Sequence, residues 1–238
     1  MEQKRLGISG GMGPKATAVF MDKLVDHTAA VRDQDHIDMV VLNHASLPDR
    51  TEVILSGEKD RFLSAVEKDI RLLEHVGVAN IAIPCNTSHY FYQDMQAMTS
   101  IPIIHMVDET LQEIARRYEA GSKIGVLATN GTLRSGIYRE TCAKYSMRYH
   151  DIDDAMQAEV MRIIYDDVKR DNNVSPDKLE AIIFDLVERC ECQCVILACT
   201  ELSCISISEA AKAHSIDAMA MLVKRSIELS GKKTVDLD

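Results

Sequence analysis

Tryptophan is absent from this 238-residue chain, and aromatic residues make up only 5% of it. That disfavours the stacking platforms single-stranded nucleic acid needs. No run approaches the roughly 20 apolar residues of a membrane-spanning helix. Cationic excess is missing too: the formal net charge is −10, so neither nucleic acid nor an anionic membrane is expected as the main partner. The first ten residues, MEQKRLGISG, lack the apolar centre of a signal peptide. Without such a signal, seven cysteines, an odd number, read as reduced thiols rather than a disulfide framework. These absences together predict a cytoplasmic protein.

What is present is an ordinary globular composition, 46% hydrophobic and 27% charged, with short apolar runs alternating with segments of helical period. That alternation predicts an α/β fold with mainly parallel sheets flanked by helices. Strands are expected at Arg5–Ser9, Asp38–Asn43, Ile81–Pro84, Ile101–His105, Lys123–Ala128, Met147–Ile152 and Cys194–Ala198. The first helix is predicted over Pro14 to about Arg32, with Phe20, Met21, Leu24 and Val25 inward. Others are expected from Asp60 to the stop at Gly77, from Leu133 to Tyr145 and from Asp154 to about Lys169, where Asp171–Asn173 breaks the period. Ser175-Pro176 supplies the cap and first position of the next, and a last helix spans Ile216 to Ser230. Gly7 and Cys85 in the first half align with Gly125 and Cys199 in the second at offsets of 118 and 114. So long a repeat indicates two similar lobes rather than a solenoid.

Both cysteines follow a buried-looking strand and precede hydroxyl or amide side chains: Ile-Pro-Cys85-Asn86-Thr87 and Leu-Ala-Cys199-Thr200-Glu201. Ligands of open α/β sheets bind beyond the carboxyl ends of strands, so packed lobes would bring the two thiols to one cleft. A helix N-terminus at each would favour the thiolate, and Asn86, Thr87, Thr200 and neighbouring amides would bind a carboxylate. Two thiols facing one tetrahedral carbon suit inversion by two bases, one removing a proton and the other returning one to the opposite face. Such a reaction needs neither metal nor another cofactor. A cysteine alone is more often a small buried hydrophobe, and Arg50 and Lys169 taken alone read as surface charges, Arg50 paired with Asp49 or Glu52.

Gly-Gly-Met-Gly-Pro at 10–14, Pro-Asp-Arg-Thr at 48–51, Pro-Cys-Asn-Thr-Ser-His at 84–89, Ala-Thr-Asn-Gly-Thr at 128–132 and Ala-Cys-Thr-Glu-Leu at 198–202 occur in order. The chain thereby resembles the cofactor-independent aspartate/glutamate racemase superfamily, and within it the aspartate racemases. The resemblance implies two pseudosymmetric α/β lobes, 1–103 plus 215–238 and 104–214, with the site in the cleft between them and a homodimeric assembly. It implies that Cys85 serves the D enantiomer and Cys199 the L enantiomer, and that Arg50 and Lys169 bind the carboxylates of a small dicarboxylic amino acid. Met12 and Thr129 are expected beside that substrate. Maleate isomerase and hydantoin racemase chemistry, and a non-catalytic carboxylate-binding protein, are the alternatives. The sequence departs from the family at Ser215-Ile-Asp-Ala218, where a proline is usual.

Four further signals carry less. Gly11-Met-Gly13-Pro-Lys-Ala16 fits a dinucleotide-binding pattern, but the second strand ends in Asn-His instead of the acid that would hold a ribose. Cys190-Glu-Cys192-Gln-Cys194 has no second ligand cluster and is read as an alternating strand face rather than a metal site. His89 either tunes Cys85 or packs locally, and Glu201 either orients a neighbour or complements a helix dipole.

Overall fold

The computed structural model describes residues 4–171 and 175–235. The first half runs β1 (Leu6–Gly10), α1 (Pro14–Asp26), β2 (Met39–Asn43), α2 (Arg50–Ser56), α3 (Lys59–His75), β3 (Asn80–Ala82), α4 (Tyr92–Ala97) and α5 (Met106–Arg117). The second runs β4 (Lys123–Leu127), α6 (Asn130–Ser135), α7 (Ile137–Lys144), β5 (Arg148–His150), α8 (Asp154–Arg162), α9 (Asp177–Glu188), β6 (Cys194–Leu197), α10 (Glu209–Ala213), β7 (Ser215–Asp217) and α11 (Ala218–Leu229). The strands form two parallel sheets, ordered β2-β1-β3 and β5-β4-β6-β7.

The internal repeat is visible in the register. Gly7 lies opposite Ile81, and Gly125 opposite Val195. Cys85 and Cys199 each stand four residues beyond that partner, so they occupy equivalent positions on their sheets. Both glycines do the same packing work. A Cβ on Gly7 would lie 2.9 Å from Val78 and 3.1 Å from Leu73 of α3, and one on Gly125 would lie 3.1 Å from Leu186 of α9. The missing side chain lets each helix settle closely on its sheet.

Three apolar clusters order the layers. One joins α3 to the outer face of the first sheet through Phe62, Val66, Ile70, Leu73 and Ile81. A second joins α8 and α9 to the outer face of the second sheet through Val160, Leu179, Ile183, Leu186 and Val195. The largest lies between the sheets, where Leu6, Ile8, Phe20 and Leu24 share one core with Leu111, Ile124, Val126, Ile196 and Leu222. The halves are therefore fused through common apolar packing, the dominant favourable term in folding.

Several boundaries differ from those expected. Helix α1 stops at Asp26, because Thr28 pairs with Thr234 and Ala29 N–H donates to Lys233 O (2.8 Å), so the C-terminal tail takes over its end. Its inward residues are Ala16, Thr17, Phe20 and Leu24; Met21 is half-buried and Val25 exposed. Ile101–His105 is no strand, only a bridge between Ile103 and Ile81. The polar stretch 129–132 opens a helix, Thr129 capping α6 by accepting from Thr132 N–H, and Gly136 at φ +74° separates α6 from α7. Helix α8 widens after Arg162 into a π-helical segment, Ile163–Asp171. The break expected at Asp171–Asn173 lies, beyond Asp171, outside the described residues. Pro176 rather than Ser175 caps α9, with Ser175 Oγ accepting from Asp177 N–H. Ser215–Asp217 is an edge strand hydrogen-bonded to β6, so the last helix begins at Ala218 and the residues from 215 to 217 belong to the second sheet.

The halves also meet tightly away from the shared core. A Cβ on Gly131 of α6 would lie 2.7 Å from Thr51 Oγ1 and 2.8 Å from Thr51 Cα of α2. Gly131→Ala should therefore cost about 1–3 kcal/mol by overpacking. Its melting temperature should fall by roughly 2–4 °C per kcal/mol for a chain of this size. Circular dichroism on heating checks this; an unchanged melting temperature would contradict so close an approach.

Candidate active site

The carboxyl ends of both sheets open onto one narrow pocket, lined by Met12, Asp49, Arg50, Thr51, Cys85, Asn86, Thr87, Thr129, Tyr165, Lys169, Cys199, Thr200 and Glu201. All nine residues singled out from the sequence (Met12, Arg50, Cys85, Asn86, Thr87, Thr129, Lys169, Cys199 and Thr200) are on this wall. Asp49, Thr51 and Tyr165 were missed. Tyr165 stands four residues before Lys169 on the same helical segment, which places both on one face; that spacing was the available signal.

Cys85 and Cys199 are both buried. The loops carrying them touch: Thr200 Oγ1 donates to Pro84 O at 3.3 Å. After Cys85 a three-ten turn, Thr87–Phe91, runs straight into α4, whereas after Cys199 only a short three-ten turn, Leu202–Cys204, follows in place of the expected helix. Helix-dipole stabilisation of a thiolate is correspondingly reduced at Cys199. Cys199 is held as a thiol. Its Sγ donates to Glu201 Oε2 at 2.9 Å, and burial, reinforced by that carboxylate, pushes it well above the usual thiol range although Lys169 pulls the other way. This reverses the expectation of a thiolate-favouring setting at that cysteine.

Arg50 is buried at the start of α2, with Asp49 accepting from Glu52 N–H as cap. Its Nη1 donates to Pro48 O at 2.9 Å, its Nε has no partner, and among the described residues it enters no ion pair. The surface pair with Asp49 or Glu52 is thus not formed. Lys169 projects from the π-helical segment, 3.7 Å from Glu201 Oε1 and 4.3 Å from the centre of the Tyr165 ring. Burial opposes its charge, but Glu201, then Tyr165 and the two thiols, outweigh burial and leave Lys169 above the ordinary lysine range. It is not a solvated helix-end charge.

The amide and hydroxyls are fixed from across the cleft. Tyr138 Oη donates to Asn86 Oδ1 at 2.5 Å, which decides which way the amide faces and leaves Asn86 Nδ2 without a partner. Thr87 Oγ1 meets Thr129 Oγ1 at 3.1 Å and Thr132 Oγ1 at 2.8 Å. Tyr138 was not legible from sequence, since it lies 52 positions from its partner. Met12 reaches the pocket from the glycine loop, whose Gly11 (φ +94°) abuts the backbone of His44. The loop thus serves this pocket.

His89 packs locally. Met106 N–H donates to its Nε2 (3.2 Å), so the ring proton sits on Nδ1 and is donated to Cys85 O (2.8 Å). Cys190 and Cys192 precede β6, the backbone turning at Glu191 (φ +56°), so the three cysteines do not alternate along one strand. Among the described residues no group of three or more His, Cys, Asp or Glu stands ready to hold a metal ion, and no helix is long and apolar enough to cross a membrane.

The family model for Asp/Glu/Hydantoin racemase matches residues 10–225. The chain belongs to this racemase family. It is 29% identical over 227 residues to the broad specificity amino-acid racemase RacX of Bacillus subtilis (strain 168), covering 93% of this chain and 96% of that one. The aspartate racemase of Picrophilus torridus superposes with a TM-score of 0.85 at 31% identity, covering 98% of this chain and 96% of that one. A glutamate racemase from Francisella tularensis, in complex with D-glutamate, shares the two-lobed fold at a TM-score of 0.65 and 19% identity, covering 96% of this chain and 81% of that one.

Burial, with the nearby His105, holds His89 down at about 4, against an unfolded value near 6.5. Stability associated with neutral His89 is therefore complete above pH 6.5 and drains away as pH falls from 6.5 towards 4. Denaturant titration should show about 2–3 kcal/mol lost between pH 7 and pH 4.5 from this group. His89→Asn should lack that share of the slope; an identical slope in both proteins would contradict a buried neutral imidazole.

Proposed function

We propose that this chain is a cofactor-independent amino-acid racemase that interconverts the enantiomers of aspartate, and of glutamate second, by a two-base thiol mechanism. The observation that carries the reading is a single pocket walled by cysteines from equivalent ends of both sheets, with Arg50 and Lys169 beside them. Two cations suit a substrate with two carboxylates and do not suit a neutral hydantoin. The relative named as an aspartate racemase points the same way, and the one named as a broad specificity amino-acid racemase supports racemisation without selecting a side chain.

In the proposed reaction the Cys85 thiolate takes the α-proton of the D enantiomer. The C–H electron pair moves into the adjoining carboxylate, where the unpartnered Arg50 Nε and Asn86 Nδ2 lie ready to donate to it. Cys199, held as a thiol against Glu201, gives its proton to the opposite face and becomes the thiolate. Lys169, charged and close to both thiols, stabilises whichever one is anionic. Starting from the L enantiomer, the roles exchange. The proposal also places residues 1–103 with α11 in one lobe and 104–217 in the other, and includes the homodimer and cytoplasmic setting expected above.

Incubating the protein with L-aspartate without added cofactor should yield a racemic mixture by chiral chromatography. Cys85→Ser and Cys199→Ser should each lower turnover by roughly 10²–10⁴-fold, the usual worth of a general acid or base. No D-aspartate from the unaltered protein, or full activity in Cys85→Ser, would overturn the reading.

A further inference from the structure

The mechanism above uses the carboxylates of the substrate and its α-carbon but leaves its ammonium group without a partner. One group in the pocket is equally incomplete. Glu201 is 4% exposed, and its two oxygens are in different states. Oε2 accepts from Cys199 Sγ at 2.9 Å and stands 3.5 Å from Thr200 Oγ1. Oε1 is buried with no hydrogen-bond partner; the nearest cation, Lys169 Nζ, is 3.7 Å away, too far for a normal hydrogen bond. A buried carboxylate oxygen left without a hydrogen bond costs free energy even beside a cation, so its persistence here points to a ligand N–H.

We infer that Glu201 is the specificity-determining residue for the ammonium group, with Oε1 accepting an N–H of a bound amino acid. This rests on the racemase reading and names the chemistry by which its pocket tells amino acids from other dicarboxylates. The charges close: Arg50 and Lys169 face the two carboxylates, and Glu201 faces the single ammonium. Glycine at position 13 leaves the approach clear, because a Cβ there would lie 3.0 Å from Glu201 Oε1.

The same carboxylate links recognition to chemistry. Glu201 holds the proton on Cys199 through Oε2. An ammonium on Oε1 partly neutralises that carboxylate and loosens its grip on the Cys199 proton, so the thiol becomes a better acid only when an amino acid is present. Succinate, which lacks the ammonium, and L-malate, which carries a hydroxyl in its place, bind without this effect.

Calorimetry with DL-aspartate, L-malate and succinate tests the assignment. The unaltered protein should bind aspartate at least about tenfold more tightly than malate, the range for a hydrogen bond to a charged group. Glu201→Gln, which keeps the shape and an acceptor for Cys199, should weaken aspartate by about 10–100-fold and leave succinate unchanged or tighter. Equal weakening of aspartate and succinate would make Glu201 a structural prop and overturn the inference, as would equal affinity of the unaltered protein for aspartate and malate. If the unaltered protein bound none of the three, the dicarboxylate reading itself would fall. The malate comparison requires no variant, so it can still overturn the inference if Glu201→Gln does not fold.

Discussion

The site depends on four consecutive residues of one half being held by the other half. Pro84 O accepts from Thr200, Asn86 Oδ1 accepts from Tyr138, and Thr87 joins the hydroxyls of Thr129 and Thr132, with Cys85 in their midst. Each bond is modest in net worth, about 0.5–1.5 kcal/mol. Their combined effect is positional: an element of the first sheet can place its thiol only where the second sheet allows. The shared core between the sheets makes this possible, since it removes the freedom of the halves to slide.

Within that near-symmetric frame the chemistry is asymmetric. The cysteines match in register, and each strand's partner glycine admits a close-packed helix. Their neighbours do not match. Cys199 is tied to a carboxylate two residues on, whereas the carbonyl of Cys85 is tied to the neutral ring of His89. The internal repeat thus brings two thiols to one pocket, and the carboxylate beside Cys199 holds its proton in place. For an inverting reaction that difference has a use, because one wall must hold a proton while the other lacks one.

Much of this was legible from residue order. Cys85 and Cys199 were found by their context at strand ends, Asn86, Thr87 and Thr200 by following them in sequence, and Thr129 only through the resemblance. The resemblance then supplied the reason to look at Arg50 and Lys169, whose isolated sequence settings suggested ordinary surface charges. What escaped reading was set by tertiary contact. Tyr138 fixes Asn86 across 52 positions, the C-terminal tail shortens α1, and Ser215–Asp217 gains its strand character only from pairing with β6. Local periodicity contains none of those partners.

The central claim is that two thiols work from opposite faces of one α-carbon. It is tested most directly by running the reaction on L-aspartate in D₂O and stopping it early. The account predicts D-aspartate carrying one deuterium at Cα while the remaining L-aspartate is still unlabelled, because the returning proton comes from a solvent-equilibrated thiol. D-aspartate that had kept its original protium would mean that a single group carries the proton from face to face, and would contradict the two-thiol account.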